Sequence, residues 1–233
     1  MKRAHFAILA VMSLLALTAG CSDDSTSPQP VAQARVRVLH ASPDAPAVDV
    51  LVDGNVALTN VPFAASSSYL SVPAGAHNFK VRATADPSVV VIDVTPTLAA
   101  GTDYTVIARN RLSSIEPWLL TDNNAAPMSG QIKLRVVHAA PGAPTVDVYV
   151  TAPGAALATA MPTLAGVPYA AASDYLAGPA GAYRVRVCPA GTTTVAIDSG
   201  PLTLASGQIR TAVAIDAPGG GAPFGAVVLT DRN

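Results

Sequence analysis

One stretch constrains the whole chain: RVRVLHASPDAPAVDV at 35–50 returns as KLRVVHAAPGAPTVDV at 133–148. In the first copy Val36 and Val38 alternate with Arg35 and Arg37, the two-residue period of a strand with one apolar face and one charged face. Pro43 and Pro46 lack an N–H, fix their own φ and push their predecessors toward extended geometry. The first strand should therefore end near His40, turn a stiff corner, and be followed by a strand with Val48, Val50 and Val52 on one face. The second copy repeats the pattern with Leu134 and Val136, then Pro141 and Pro144, then Val146, Val148 and Val150.

His40 with Asp49, and His138 with Asp147, have the residue types of a catalytic pair, but parity separates them. His40 shares its face with the core-facing Val36 and Val38, whereas Asp49 sits between Val48 and Val50 and points the other way. The expectation is a histidine bonded to corner carbonyls and an aspartate capping loop N–H groups.

The rest of each copy reads as short strands separated by turns. Asp53-Gly54-Asn55 is a hairpin signal. Phe79, Val81 and Ala83 alternate with Asn78, Lys80 and Arg82; Val89–Val94 is nearly all β-branched; Tyr104, Val106 and Ala108 share a face; and Trp118–Thr121 closes the module. The second copy follows in the same order: Tyr175 answers Tyr69, Ile197-Asp198 answers Ile92-Asp93, and Leu229-Thr230-Asp231 answers Leu120-Thr121-Asp122. The offset between copies grows from 98 positions at His40/His138 to 106 at Val61/Val167 because Thr151–Gly166 lengthens one connection. Pro218–Pro223 lengthens another. These two loops are the first places to look for a binding surface.

Many short strands, frequent turns and no helical period give an all-β chain of two tandem immunoglobulin-like or prealbumin-like β-sandwich domains. The expected boundaries are 34–124 for the first domain, 125–130 for a linker and 131–233 for the second.

The start of the chain has its own logic. Lys2 and Arg3 precede an apolar run, Phe6–Ala19, shorter than the ~20 residues a membrane span needs. It has the proportions of a secretory signal, and Ala19-Gly20-Cys21 resembles the lipobox of bacterial lipoproteins. That resemblance implies cleavage of 1–20, lipidation of Cys21 and a membrane partner through the anchor. The lipobox leucine expected three residues before the cysteine is Thr18 here, with Leu17 one place early. Ser22 rather than Asp after the cysteine resembles export to the outer membrane, so the expected location is the cell envelope. Residues 21–33 read as lipidated Cys21 plus a flexible tether that could reach roughly 40 Å if extended.

Composition excludes several functions. Lys plus Arg number 14 against 15 acids, so no nucleic-acid partner is expected. Aromatics are 5 % of the chain with one Trp, too few for a broad stacking platform. Tyr69, Tyr104, Trp118 and Tyr175 would have to gather in one cleft to bind a glycan. No Gly-x-Ser-x-Gly elbow, closely spaced His/Cys set or phosphate-cradling loop occurs, so neither a catalytic site, a metal site nor a cofactor is expected, and the chain is read as no enzyme. Asp93, Asp103, Asp122, Asp198 and Asp231 read as turn or strand-end caps, and Arg109 and Arg111 as a solvated rim. Cys188, without a partner once Cys21 is modified, reads as a buried inert thiol.

The His-Ala-x-Pro-x-Ala-Pro-x-Val-Asp-Val pattern at His40–Val50 and His138–Val148, with the later Val-Pro-[Phe/Tyr], Tyr-Leu and Pro-Ala-Gly elements, resembles a bacterial family of secreted and lipid-anchored domains of unknown function. The resemblance covers nearly all of 34–233, twice. It implies a β-sandwich envelope module and carries over no functional residue. The resulting expectation is a lipid-anchored protein with a structural, adhesive or protein-binding role, whose partner is an envelope or extracellular protein or a glycan. The alternative is a glycan- or small-ligand-binding surface domain, and behind it an envelope enzyme.

Overall fold

The computed structural model describes residues 31–233. The first copy contains β1 (Gln33–His40), β2 (Val48–Val52), β3 (Asn55–Val61), β4 (Leu70–Pro73), β5 (Gly75–Ala76), β6 (Phe79–Ala83), β7 (Val90–Val94), β8 (Thr97–Leu98), β9 (Asp103–Arg109) and β10 (Glu116–Asp122). The second contains β11 (Gln131–His138), β12 (Val146–Thr151), β13 (Leu164–Val167), β14 (Ala171–Ala172), β15 (Leu176–Pro179), β16 (Gly181–Pro189), β17 (Ile197–Leu204), β18 (Ile209–Ile215) and β19 (Gly225–Arg232). The only helical elements among the described residues are two single 3-10 turns, at Leu112–Ser114 and Leu157–Thr159.

Each copy is built on a pair of sheets, to which the first adds a two-stranded ribbon, β5-β8. In the first, β10-β9-β1-β4 form what we call the inner sheet and β3-β2-β6-β7 the outer sheet. In the second, β11 carries β14 and β15 on one side and continues through β18 to β19, while β13-β12-β16-β17 form the outer sheet. The first strand of each copy lies parallel to the penultimate one, β1 to β9 and β11 to β18, and every other pairing is antiparallel. The predicted turns hold. Asp53 and Gly54 both take positive φ, 50° and 80°, the backbone of a type I′ hairpin between β2 and β3.

The valine rows face the space between the two sheets of their own copy. Val38, Val48, Val50, Val81 and Ile92 form one such core, and Leu134, Val136, Val146, Val148 and Val187 its counterpart. Each buried valine contributes on the order of 1.5–3 kcal/mol.

The opposite face of β1 corrects the sequence reading. Alternation of valine with arginine suggests a half-exposed strand, yet Arg37 is only 2 % exposed. The reason is a second core. Leu39, Ala41 and Ile107 of the first copy pack against Val137, Ala139, Val213 and Leu229 of the second. The two inner sheets thus meet face to face, and β1 and β11 are buried on both sides.

Candidate functional site

The most highly organised polar groups lie in this shared core, and they come in matched pairs. Arg37 donates from Nε to Thr105 Oγ1 (2.8 Å), from Nη1 to the Thr230 carbonyl (3.2 Å), and from Nη2 to Asp231 Oδ1. Arg135 donates from Nε to Thr211 Oγ1 (3.1 Å), from Nη1 to the Thr121 carbonyl (3.1 Å), and from Nη2 to Asp122 Oδ1 (2.5 Å). Asp122 also accepts the hydroxyls of Thr105 and Tyr69, both at 2.6 Å, and Asp231 those of Thr211 at 2.6 Å and Tyr175 at 3.0 Å. The guanidinium carbon of Arg37 lies 4.8 Å from the Tyr69 ring centre, and that of Arg135 lies 4.7 Å from Tyr175. Each arginine therefore pairs with the aspartate of the other copy. A buried carboxylate with three donors is fully satisfied, and this is the arrangement in which a buried ion pair survives its desolvation cost.

This reassigns Asp122 and Asp231, which the sequence reading treated as caps. Asp93, Asp103 and Asp198 also serve ion pairs, with Lys80 (3.1 Å), Arg35 (2.5 Å) and Arg184 (2.5 Å). One sequence signal pointed to the buried network: both copies carry Arg, Thr, Tyr and Asp at matching positions.

His40 and Asp49 lie apart, as parity requires. The Pro46 carbonyl is 3.0 Å from His40 Nε2, and the Ser42 N–H points at Nδ1 (3.3 Å), which makes the ring neutral with its proton on Nε2. Burial lowers its pKa. His138 repeats this with Pro144 (3.1 Å) and Ala140 (3.4 Å). Asp49 caps the Asn60 N–H (3.0 Å) and the Thr84 hydroxyl (2.8 Å), while Asp147 caps the N–H groups of Gly166 and Gly191, both at 2.8 Å. Those hydrogen bonds hold both carboxyls below the ordinary carboxylate range.

The two insertions are built into the scaffold. Thr151–Gly166 folds over the outward face of β12 and β16, where Leu157 covers Tyr149 and Cys188. Cys188 is buried and has no disulfide partner among the described residues, and burial raises its pKa. The second insertion donates from the Gly219 N–H to the Pro43 carbonyl of the first copy (2.7 Å) and from the Gly221 N–H to Asp216 (2.9 Å). Arg109 is not a solvated rim: it pairs with Glu116 at 3.1 Å and stacks 4.9 Å from Trp118 and 5.4 Å from Tyr169. Arg111 is exposed and rests against Gly220.

The four aromatics weighed for a glycan site do not gather. Tyr104 packs inside the first sandwich, Trp118 packs against the shared core, and Tyr69 and Tyr175 belong to the two ion-pair networks. Among the described residues no cluster of three or more His, Cys, Asp or Glu could hold a metal ion, and no helix is long and apolar enough to cross a membrane. Cys21 lies outside the described residues.

Three concavities stand out. A polar one of about 670 Å³ is lined by Arg35, Asp103, Asn124 and Ser71. An apolar cleft of about 300 Å³ runs between the sheets of the first copy, with Val94 and Leu119 in its lining. A matching cleft of about 240 Å³ lies in the second copy, bordered by Ile197 and Val228.

The fold therefore defines an all-β protein made of two sandwich repeats packed through their inner sheets. The chain belongs to the family described as Domain of unknown function (DUF4397), which matches residues 34–149 and 152–233. Among solved structures, a leucine-rich repeat protein from Bacteroides thetaiotaomicron is similar at 13 % identity with a TM-score of 0.20; the alignment covers 80 % of this chain and 26 % of that one. The chain thus spans about a quarter of that protein's length. No curated protein matches the sequence.

Proposed function

We propose that this chain is a lipid-anchored cell-envelope protein, held at the membrane through Cys21, whose paired sandwiches form a stiff block with a structural, adhesive or protein-binding role. The observation that carries this reading is the reciprocal Arg37–Asp231 and Arg135–Asp122 pairing. The polar residues common to both copies are engaged in joining the copies and shaping their corners, which suits a scaffold. Protein binding draws further support from the sheet edges. Among the described residues β7, β10 and β19 each pair on one side only, and Val90, Leu119 and Val228 on them are 45 %, 38 % and 48 % exposed. A partner could extend such edges by strand addition.

Metabolic labelling with a fatty acid tests the anchor: wild type takes up label and Cys21→Ala does not. Equal absence of label in both would overturn it. Crosslinking in intact envelopes tests the binding role, since a scaffold or adhesin yields a defined adduct through β10 or β19, and a chain that yields none has no such partner there.

A further inference from the structure

The two apolar clefts match in position but not in lining, and one of the differences introduces a charge. In β9 and β18, strand register against β1 and β11 equates Tyr104 with Arg210, Val106 with Ala212 and Ala108 with Ala214. In the first copy the Tyr104 side chain is buried, and its hydroxyl accepts the Ala99 N–H at 3.1 Å. In the second copy Arg210 stands on the same face as Ala212 and Ala214 and helps line the cleft. An arginine bordering an aliphatic slot, where the sister copy places a tyrosine, is not explained by packing.

The hydrogen bonds of Arg210 sharpen the point. It donates to the Ile209 carbonyl (3.0 Å), the Arg232 carbonyl (2.5 Å) and Asn233 Oδ1 (2.9 Å), all of them neutral acceptors. Among the described residues no carboxylate lies within ion-pair distance of it. Asp231 is the acid whose charge it senses, but Asp231 turns to the other face of the sheet and is held there by Arg37, Thr211 and Tyr175. Partial burial lowers the pKa of Arg210, so its charge is poorly solvated. A guanidinium in that condition gains most from a carboxylate, which it can grip with two parallel hydrogen bonds.

We infer that the cleft of the second repeat binds a straight-chain aliphatic carboxylate, with the carboxylate on Arg210 and the chain between Val136, Val185, Ala212 and Val228. A volume of about 240 Å³ holds roughly eight groups the size of a water molecule, at about 30 Å³ each, and a methylene is of similar size. That fits an acid of medium length. A peptide is the wrong occupant, because its N–H and C=O groups would lie against aliphatic walls without partners. The inference does not depend on the anchor.

Calorimetric titration of the full-length chain carrying Cys21→Ala, so that no acyl group of its own competes, tests this with decanoate, hexanoate and decanol. Decanoate should bind, decanol at least tenfold more weakly, and hexanoate more weakly by roughly fourfold per methylene lost until the cleft is full. Arg210→Gln should bring decanoate down to the level of decanol, while Arg210→Lys keeps part of the preference for the acid. Ala212→Leu, which fills the slot, should abolish binding, and Val106→Leu at the matching site of the first repeat should not change it. Thermal melts show that each variant is folded. No binding to the wild-type chain, equal affinity for decanoate and decanol, or decanoate binding indifferent to Arg210→Gln would overturn the inference.

Discussion

Arg37 and Asp231 are 194 residues apart in sequence, yet they form an ion pair buried between two sheets. Arg135 and Asp122 make the reciprocal pair a short way along the same interface. The duplication therefore does more than lengthen the protein. Each copy supplies the closer cation for the other's carboxylate; within its own copy Arg37 meets Asp122 only at 3.8 Å.

Breaking one member should cost far more than removing both. Asp231→Ala leaves the buried Arg37 guanidinium without its hydrogen-bonded anion, with Asp122 3.8 Å away as the remaining carboxylate, and the hydroxyls of Thr211 and Tyr175 without an acceptor, so a loss of about 3 kcal/mol is expected. Arg37→Met combined with Asp231→Leu should recover a good part of that loss. Urea unfolding of the single and double variants measures the coupling; additive effects would mean that the pair does not act as one unit.

Stability should fall in two stages on acidification. His40 and His138 are kept neutral by burial, so their folded pKa values lie below the ordinary value near 6.5. The unfolded chain takes up protons first, and stability is lost as pH drops below about 6.5 toward the folded values. Asp198, held at about 2 by its ion pair with Arg184, and Asp49 and Asp147, held down by their caps, contribute stability above about pH 4 that is lost as pH falls through their lowered values. Urea midpoints across this range follow both stages. The double substitution His40→Gln/His138→Gln should flatten the first and leave the second; an unchanged first slope would show that other groups carry it.

Cys188 should be inert until the chain opens. It is fully buried under Tyr149 and Leu157, and its raised pKa leaves little thiolate. A chromogenic disulfide reagent at mildly alkaline pH should react slowly with the native protein and at once in denaturant. Leu157→Ala should speed the native reaction several-fold by thinning the cover. A fast reaction of the wild-type thiol would contradict the burial.

Gly142 should tolerate nothing larger. A Cβ there would meet the Gly221 Cα at 2.9 Å and Asp216 Oδ2 at 2.8 Å. Gly142→Ala is expected to cost about 1–3 kcal/mol by overpacking, seen as a lowered melting temperature. The first copy has Asp44 at this place, whose carboxylate accepts the Leu112 N–H at 2.7 Å, so Asp44→Ala should cost about 1 kcal/mol by losing that hydrogen bond and not by overpacking.

Much of the scaffold was legible in the sequence because it depends on local rules. The prolines at 43 and 46 end a strand wherever they occur, Asp53-Gly54 takes positive φ by its own chemistry, and parity alone separated His40 from Asp49. The polar partners were less legible. Alternation tells which residues share a face, not what the face meets, so Arg37 read as solvated and Asp122 as a cap. The insertions read as free loops for the same reason, since nothing local says that Leu157 will lie over Cys188.

The sequence by itself determined the strands, their corners and the fact that one design is used twice, because backbone geometry and side-chain alternation are set within a few residues. Only the tertiary structure decided that the charged faces would turn inward against each other, and that Arg210 would border an aliphatic cleft. Those outcomes depend on side chains up to 194 positions apart, which meet only when both repeats have folded and their inner sheets have closed.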